Sequence, residues 1–550
     1  LRIDELKQLL YLYDNGQYET VIKQGLTIKN RFKNPFWVYN LLGLSYLKNN
    51  EIKLAINFFN KLIKINPNYF EAYNNLGVCY FKIKENNLAL LNFQKALKIN
   101  KNYYTAYVNI GNIFKDQKKF ESSLEYYMKA IKINSNCFEA FNNLGSLYQE
   151  NDMNKLAENF FKKTIIINYN YANAHYNLSL LYMHLGRFKE AWTDFHWRWH
   201  SNEFYSEAYK TNKPKFNLSS NYHHVFIWKE QGIGDQILFA RLFNDLRDKD
   251  IKIDALVDKK LKPLFQSSFP HINFVDSANE DLIDSHAPMG DLGQFFINNF
   301  DDVKARSHPY IKVNQQRTET LKKLLPSDKK ICGISWVSVN EDLGRNKSMS
   351  LEQLKDILLL PNMVFVDLQY GDTSQERQSF YEKYGVKILK IEEVDNFDDI
   401  EGLASLIDLC DCVLSVSNTT VHIAGAIGKP TYLMLPKGKG KLWYWSKEGN
   451  QSMWYKSIKI FEQDKIGEWD GLVKNVKKEM LDKWTSTQIL SSFDKKSKSL
   501  YPNLKHFDPP KDELDKLVNF HNLKEYDNQI KFGLNLYKKY RHGFLLCNLI

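Results

Sequence analysis

The chain has 550 residues with 43% hydrophobic and 25% charged side chains, typical of globular proteins, and its length predicts several domains because one core seldom exceeds roughly 250 to 300 residues. Its formal net charge of +11 comes from scattered lysines without a dense basic block, which argues against nucleic-acid binding. Six cysteines without regular spacing, no apolar run of roughly 18 residues and no signal peptide together predict a cytoplasmic protein with buried thiols and no transmembrane segment.

Residues 1 to 204 repeat one pattern at a constant interval of 34 residues. Small residues, alanines and aromatic residues each hold a fixed position: Gly43, Gly77, Gly111, Gly145 and Ser179; Ala72, Ala106, Ala140 and Ala174; Tyr39, Tyr73, Tyr107 and Phe141. The pattern predicts about six helix pairs, in which the small residues let paired helices approach and the aromatic residues fill the gap to the next pair. It resembles tetratricopeptide repeats, which stack into a solenoid with a concave binding groove; a spacer with an empty groove is the alternative.

The last repeat ends in an aromatic segment. Trp192, Phe195 and Trp199 share one helical face, and we expect them to seal the solenoid against the next domain, with a sugar or cofactor platform as the alternative. His196 and His200 have no carboxylate nearby in sequence, so a metal site is not expected there. Residues 205 to 222 lose the periodicity and are predicted to be a linker.

Residues 223 to 325 are predicted to form a first Rossmann-like half. Val225 to Trp228 is a predicted strand, Gly232 and Gly234 make a tight turn, and residues 236 to 246 form a helix; ligands bind at such a corner of a parallel sheet. Asp235 on this turn is either the helix N-cap or a catalytic base. Further strands are expected at 251 to 257 and 272 to 276, and 284 to 292 is expected to be a loop, whose His286 is either a ligand contact or a plain loop histidine.

Residues 326 to 484 are predicted to form a second half of the same kind. Strands are expected at 331 to 336, 364 to 371, 386 to 389, 412 to 417 and, as the last one, 431 to 435, with helices at 351 to 360 and 470 to 484. The fold class predicted for the chain is therefore α + α/β multidomain, an α-solenoid followed by a GT-B arrangement of two Rossmann-like halves facing across a cleft. Fold alone does not fix function.

Three predicted loops converge on that cleft. The first carries Gly232, Gly234 and Asp235; the second is the cationic segment 344 to 348 with Arg345 and Lys347; the third is the helix start with Asn418, Thr419, Thr420 and His422. Together they offer a base, cations for a phosphate leaving group, and N–H, hydroxyl and imidazole donors for a diphosphate. No Asp-x-Asp follows a predicted strand, so we expect no metal and no cofactor apart from a nucleotide-sugar donor.

A set of motifs resembles a known family. The segments 230 to 237, 333 to 336 with 345 to 348, 368 to 371, and 415 to 425 with 428 to 430 resemble bacterial tetratricopeptide proteins whose second half is similar to lipopolysaccharide heptosyltransferases, the ADP-heptose transferases. The resemblance covers about residues 35 to 475 and implies a GT-B fold and inverting transfer from a nucleotide sugar.

The same resemblance implies roles for individual residues. Asp235 matches the family's base, Arg345 or Lys347 its donor-phosphate cation, and the segment from Asn418 to His422 its diphosphate-binding turn, with Gly232, Gly234 and Gln369 also at the donor. The chain departs from the family at Ser417 and Asn418, where relatives often have Asp and Thr.

The leading hypothesis from the sequence is a glycosyltransferase of hexosyl- or heptosyltransferase type, whose solenoid presents a protein or polysaccharide acceptor to the cleft. One alternative is a non-catalytic scaffold with a degenerate transferase domain, favoured by the departure at Ser417 and Asn418. Another is an epimerase with the same twin-Rossmann shape. The sequence names neither the sugar nor the nucleotide.

The C-terminal residues raise a separate hypothesis. Residues 485 to 510 are predicted to be a second linker, and 511 to 550 the start of a second helical repeat segment. That segment aligns with the N-terminus at a constant offset, with Asp512 on Asp4 and Gly533 on Gly25, which predicts that a longer protein repeats the whole module. A lone terminal helix pair is the alternative. Leu1 likewise predicts that the sequence is a piece of a longer chain.

Overall fold

The computed structural model describes residues 3–31, 35–338, 344–438 and 440–484. Leu1–Lys478 form one compact unit, which holds every element described below except the end of the last helix. The predicted second linker and second repeat segment, 485 to 550, lie outside the described residues.

Paired helices make up the described part of the solenoid. In chain order they are α1 Ile3–Asp14 and α2 Tyr18–Ile28, α3 Phe36–Lys48 and α4 Ile52–Ile65, α5 Phe70–Lys82 and α6 Asn86–Ile99, α7 Tyr104–Asp116 and α8 Phe120–Ile133, α9 Phe138–Glu150 and α10 Asn154–Ile167, and α11 Ala172–His184 and α12 Phe188–Phe195. A short 3-10 helix, His196–His200, follows. The prediction of about six helix pairs is confirmed.

Close contact within each pair explains the repeated glycines. A Cβ added to Gly77 or Gly111 would lie 2.6 or 2.5 Å from a ring carbon of Phe93 or Tyr127, in the second helix of the same pair. The predicted role of the small residues is therefore confirmed. The predicted role of the aromatic position is wrong, because Tyr39 and its counterparts face the second helix of their own pair; the rings in contact are Tyr39 with Phe58, Tyr107 with Tyr126 and Phe141 with Phe160.

A different aromatic pair joins neighbouring repeats. The first residue of one helix pair meets the tyrosine just before the next pair, with ring centroids 4.8 Å apart for Phe36 and Tyr69 and 4.9 Å apart for Phe138 and Tyr171. Edge-on contacts at this distance are favourable between aromatic rings.

The smaller sheet has four parallel strands in the order β3-β2-β1-β4. The strands are β1 His224–Trp228, β2 Lys252–Leu256, β3 Asn273–Val275 and β4 Ser285–Pro288, and the helices are α13 Ile233–Ala240, α14 Lys262–Ser268, α15 Gly293–Phe296, α16 Phe300–Ala305 and α17 Gln315–Lys322. Short 3-10 helices occupy Arg241–Leu246 and Met289–Leu292.

Strand β4 corrects the prediction of a loop at 284 to 292. His286 pairs in register with Phe226 of β1, and its Nδ1 accepts a hydrogen bond from Trp228 Nε1 at 3.1 Å. Its carbonyl accepts the Phe216 N–H at 2.8 Å, so the predicted linker is tied to the sheet. His286 is thus a sheet residue and not a loop histidine, and its contact with a ligand stays a hypothesis. The segment is a strand only because long-range partners satisfy its backbone.

The larger sheet has eight strands in the order β10-β11-β12-β9-β8-β5-β6-β7. They are β5 Lys330–Ser335, β6 Met363–Asp367, β7 Ile388–Leu389, β8 Cys412–Val416, β9 Thr431–Leu435, β10 Lys447–Glu448, β11 Gln451–Ser452 and β12 Ile458–Glu462; the helices are α18 Gly344–Lys347, α19 Lys355–Leu358, α20 Ser374–Tyr384, α21 Ile400–Leu409, α22 Thr419–Ile427 and α23 Asp470–Trp484. The prediction that 431 to 435 is the last strand is wrong, because β12 extends the parallel part of the sheet beyond β9.

Strands β7-β6-β5-β8-β9-β12 follow the order of a doubly wound α/β sheet. In such a sheet, ligands bind outside the carboxyl ends of the two strands where the order reverses, which are β5 and β8 here. The smaller sheet has the corresponding reversal between β1 and β4.

The aromatic cap joins the solenoid to the smaller sheet. Trp192 Nε1 donates to the Ile297 carbonyl at 2.7 Å, and the rings of Trp199 and Trp228 lie 5.1 Å apart. The predicted seal is confirmed. The five cysteines in the described residues are free and buried, as predicted: Cys79, Cys137, Cys332, Cys410 and Cys412.

Candidate functional site

Asp235 lies in the first turn of helix α13. The helix begins at Ile233, earlier than predicted, and its N-cap is Gly232, so the hypothesis that Asp235 is the N-cap is wrong. Burial raises the pKa of Asp235 to about 6, while the Gly232 backbone N–H and the positive charge of Lys347 act in the opposite direction. A buried carboxyl group with a pKa near neutrality has the property of a general base.

The two cations of the second loop are separated. Lys347 is 5% exposed, and burial lowers its pKa against the opposing charge of Asp235. Arg345 is exposed and lines a different cavity, shared with solenoid residues such as Lys118. Residues two apart on a helix point in nearly opposite directions, and α18 places these two that way. The structure therefore brings Lys347, but not Arg345, to Asp235.

His422 of α22 packs directly against the turn that carries Asp235. A Cβ added to Gly234 would lie 2.9 Å from His422 Cδ2, so only glycine allows this approach. His422 Nδ1 is 2.9 Å from the Tyr455 hydroxyl. Burial lowers the pKa of His422 to about 3, and the positive charges of Arg241 and Lys347 act in the same direction. The imidazole is therefore neutral and can offer a hydrogen bond but no charge.

The start of α22 shapes the reversal point of the larger sheet. Asn418, the N-cap, donates from Nδ2 to Ser335 Oγ at 2.7 Å and to the Val337 carbonyl at 3.2 Å, and its Oδ1 accepts the Thr420 N–H at 3.1 Å. Thr420 is 1% exposed, whereas Thr419 is half-buried. An anion here would meet the first-turn N–H groups and Thr419, because the polar atoms of Asn418 bind within the protein.

Gln369 also stabilises the reversal point of the larger sheet, through hydrogen bonds to residues at the end of β5. Its Oε1 accepts hydrogen bonds from Ser335 Oγ at 3.0 Å, the Trp336 N–H at 2.9 Å and the Val337 N–H at 2.8 Å. Its Nε2 donates to the Tyr370 carbonyl at 3.2 Å. Gln369 thus fixes the backbone after β5, and any effect on a ligand would pass through that backbone.

Ser417, where the chain departs from the resembling family, is 2% exposed. Its hydroxyl accepts a hydrogen bond from Trp445 Nε1 at 2.9 Å. The Trp445 ring in turn lies 5.0 Å from the His422 imidazole. Ser417 therefore belongs to the aromatic packing behind His422.

Sequence reasoning missed a buried charged cluster beside the Asp235 turn. Arg198, at the end of the solenoid, is 0% exposed; its Nε and Nη2 donate to Glu230 Oε2 at 3.0 and 2.8 Å, and Nη2 donates to Asp291 Oδ1 at 2.6 Å. Burial raises the pKa of Glu230 against the opposing effect of Arg198. The available signal was a lone arginine within an otherwise aromatic segment.

A second missed arginine joins the two sheets. Arg241, which follows α13, is 3% exposed and donates from Nη1 to the Trp454 carbonyl at 2.6 Å. Its guanidinium lies 4.6 Å from the centre of the Tyr455 ring, the same tyrosine that contacts His422. The segment that carries Asp235 is thus anchored on both sides along the chain, at Glu230 to the solenoid and at Arg241 to the larger sheet.

The solenoid also contributes to the surroundings of Asp235. Tyr176 of α11 is buried, and burial together with the charge of Asp235 raises its pKa, although Arg198 opposes the rise. Gln231 Nε2 donates to the Tyr176 hydroxyl at 3.5 Å. The site therefore draws on three parts of the chain: Tyr176 from the solenoid, Asp235 from the smaller sheet and Lys347 from the larger sheet.

Two absences hold for the described residues. No group of three or more His, Cys, Asp or Glu side chains is arranged there to hold a metal ion. Within the same ranges, every helix is too short or too polar to cross a membrane.

Family models and one curated relative match parts of the chain. Models of the tetratricopeptide repeat match residues 43–84, 70–103 and 104–137. Protein FlbA of Caulobacter vibrioides is 27% identical over 314 residues, which are 52% of this chain and 51% of FlbA, so the chain spans about half the length of this curated relative.

Two solved structures are similar to part of the chain. MamA is 24% identical and is matched over 28% of this chain and 91% of its own, with a TM-score of 0.25. TTC0263, a TPR protein of Thermus thermophilus, is 14% identical over 33% of this chain and 98% of its own, with a TM-score of 0.31. From the matching family models, we conclude that residues 43 to 137 of the chain are tetratricopeptide repeats.

Proposed function

We propose that the chain is a glycosyltransferase that moves a sugar from a nucleotide-sugar donor to an acceptor presented by the solenoid. The observation that carries the proposal is the meeting of Asp235, from the smaller sheet, with Lys347 and the start of α22, from the larger sheet. In a GT-B arrangement the smaller sheet is then the acceptor side and the larger sheet the donor side. The acceptor is a protein or a polysaccharide.

The proposed reaction is a single inverting displacement. The carboxylate of Asp235 takes the proton of an acceptor hydroxyl while that oxygen attacks C1 of the sugar, and the bond from C1 to the diphosphate breaks on the opposite face. The negative charge that develops on the diphosphate is stabilised by the Lys347 ammonium and the N–H groups at the start of α22. His422, which is neutral, contributes a hydrogen bond at most.

Donor binding is the first test of the proposal. Ligands that bind only the folded state raise the melting temperature, so a thermal-shift screen with nucleoside diphosphates and their sugars should find a stabilising donor. Lys347→Met should remove most of the shift, because the variant loses the charge-assisted contact between the ammonium and a phosphate oxygen of the donor. Arg345→Met is the matched control, since it removes the neighbouring cation from another cavity. Equal losses in both variants would contradict the assignment of Lys347.

Catalysis is the second test. Asp235→Asn should lower transfer about 10²- to 10⁴-fold while the donor still shifts the melting temperature, because the amide keeps the shape but cannot accept the proton. The rate should also rise with pH through about 6, as the carboxyl of Asp235 ionises. Turnover by Asp235→Asn at the wild-type rate would refute the proposed base.

A second function, a repeat scaffold with a degenerate transferase domain, is favoured by one observation. At the position where the chain departs from the family, Ser417 is bound to Trp445, and the polar atoms of Asn418 are bound within the protein. A scaffold would bind a partner protein with the same affinity with and without nucleotide sugar, and Asp235→Asn would leave that affinity unchanged. An epimerase, by contrast, would convert the sugar without any acceptor.

A further inference from the structure

A cavity separate from the Asp235 site lies between the solenoid and helix α18. It has a volume of about 390 Å³ and is walled on one side by the turns inside three helix pairs, around Lys84, Lys118 and Asn151, and on the other side by Arg345 and Ile466. Arg345 and Lys347 lie on opposite faces of the same short helix, so the cavity is about one helix diameter, on the order of 10 Å, from the Asp235 site.

The cavity is strongly cationic. Five cations line it, Lys84, Lys115, Lys118, Lys119 and Arg345, against two carboxylates, Asp116 and Glu150. Lys115 is 3.6 Å from Glu150. Among the residues that the structure describes, the other four cations have no carboxylate within salt-bridge distance. A concave site lined by cations of this kind attracts anions and raises their local concentration.

Two of these lysines occupy strained backbone positions. The turn inside each helix pair contains one residue with a positive φ, and the six positions are Gly16, Asn50, Lys84, Lys118, Asp152 and Gly186. Glycine, asparagine and aspartate adopt this conformation readily, whereas lysine does not. Both turns with lysine, at φ 65° and 61°, line the cavity, and the turn with Asp152 joins them through Asn151. A lysine at a position where glycine or asparagine would be less strained indicates that the lysine side chain has a function.

We propose that this cavity binds a carboxylate-rich segment of a protein acceptor and thereby directs the acceptor toward Asp235. Its role as an acceptor site rests on the proposed glycosyltransferase function, whereas binding of the acidic segment does not.

The walls favour a peptide over a polysaccharide or a free phosphate. Phe120, Leu147 and Ile466 stand among the cations and offer apolar surface that a peptide side chain can cover. Asn86 and Asn346 add side-chain amides, which can both donate to and accept from a peptide backbone. A phosphate site would instead concentrate cations and N–H groups around one point.

The test measures binding of a labelled synthetic peptide of alternating glutamate and glycine to the full chain, by fluorescence anisotropy at about 0.15 M salt. The same peptide with glutamine in place of glutamate should not bind. The double variant Lys84→Gly/Lys118→Gly should bind at least about tenfold more weakly and melt at the same or a higher temperature, because glycine relieves the left-handed strain. Arg345→Gln, on the opposite wall, should also weaken binding.

Two matched controls separate the cavity from general effects. Asn50→Gly relieves the same strain in a turn that does not line the cavity and should leave binding unchanged. Lys98→Ala/Lys132→Ala removes the same net charge from exposed positions on α6 and α8 and should also leave binding unchanged. Wild-type binding by the lysine-to-glycine variant, or an equal loss in either control, would overturn the proposal.

Competition decides the ligand class. If pyrophosphate or a sulfated polysaccharide displaces the peptide at equal charge concentration, the cavity is a general anion site and the proposal is wrong. Failure of the cavity proposal and failure of the transferase proposal give different results. Peptide binding without any nucleotide-sugar response would refute the transferase and its acceptor role alone, and a nucleotide-sugar response without peptide binding would refute the cavity alone.

Discussion

The reversal points of the two sheets use the same topology in opposite ways. In the smaller sheet, Glu230 follows β1 and Asp291 follows β4, and both bind Arg198, which enters from the solenoid. In the larger sheet, the residues directly after β5 and β8, Trp336 and Ser417, are neutral, and Asn418 donates a hydrogen bond to Ser335 Oγ. The crevice of the smaller sheet is therefore occupied by Arg198. The crevice of the larger sheet leaves the N-terminus of α22 available to a ligand.

This difference separates a structural joint from a candidate ligand site. A buried arginine whose donors bind two carboxylates and a carbonyl of the same protein is not available to a ligand, and it fixes the solenoid to the residues just before the Asp235 turn. A crevice held by neutral hydrogen bonds keeps the positive end of α22 unneutralised, which favours an anion. Different effects of substitution are therefore expected at the charged joint of Arg198, at the Asp235 turn, and at the neutral brace, which is the pair of hydrogen bonds from Asn418 to Ser335 and Val337.

The largest expected effect is at the charged joint. Arg198→Ala leaves Glu230 and Asp291 buried without their cation and should lower the free energy of unfolding by about 3 to 5 kcal/mol. Urea denaturation measures it. The matched control is Arg187→Ala, which removes an arginine from the more exposed ion pairs with Glu158 and Glu190 and should cost at most about 1 kcal/mol. Similar losses in the two variants would show that the cluster is not a stabilising joint.

Removing the buried carboxylate of Asp235 should instead increase the free energy of unfolding. The pKa of Asp235 in the folded state is about 6, above its ordinary value of 3.8, so ionisation favours the unfolded chain. Asp235→Asn should therefore raise the free energy of unfolding by up to about 3 kcal/mol at pH 7. The gain should develop as pH rises from about 4 to about 6 and then stay constant.

Unfolding free energies at pH 4 and pH 7 measure this gain. A variant that is less stable than the wild type at pH 7 would mean that the carboxylate mainly caps α13 through the Gly232 N–H. In that case, the resemblance of Asp235 to a catalytic base would have no electrostatic support.

The close approach of α13 to α22 gives the third prediction. Gly234→Ala places a Cβ 2.9 Å from His422 Cδ2 and should cost about 1 to 2 kcal/mol, because the two buried helices must move apart. Gly232→Ala is the control in the same turn, since its Cβ would have no atom closer than Asp235 Oδ2 at 3.6 Å. Thermal denaturation of both variants tests the contact, and a larger loss at Gly232 would contradict it.

The sequence predicted those parts of the fold that local patterns determine. The repeated small residues and the apolar strand runs led to the solenoid and to most parallel strands. The rule that ligand loops gather at the carboxyl ends of strands correctly placed Gly234 beside His422. No catalytic role follows from this agreement, because the positions of these residues do not test their chemistry.

The remaining features depend on contacts that no local pattern contains. Strand β4 exists because β1 and the predicted linker satisfy its backbone, and Arg198 meets its carboxylates about 30 and 90 residues further along the chain. Arg345 and Lys347 looked equivalent in sequence, but a short helix turned them to opposite sides. The sequence could therefore identify the cations of the site but not which of them shares the cleft with Asp235.

The smallest expected effect tests the neutral brace. Asn418→Ala removes the N-cap of α22 and the bonds to Ser335 and Val337, and should cost about 1 kcal/mol of stability. Asn314→Ala, which removes the N-cap of α17, is a control with a similar loss. If the larger crevice binds the donor as proposed, Asn418→Ala should also reduce the nucleotide-induced thermal shift, whereas Asn314→Ala should not. Equal shifts in the two variants would mean that the start of α22 has no part in binding, and the two crevices would then differ in charge alone.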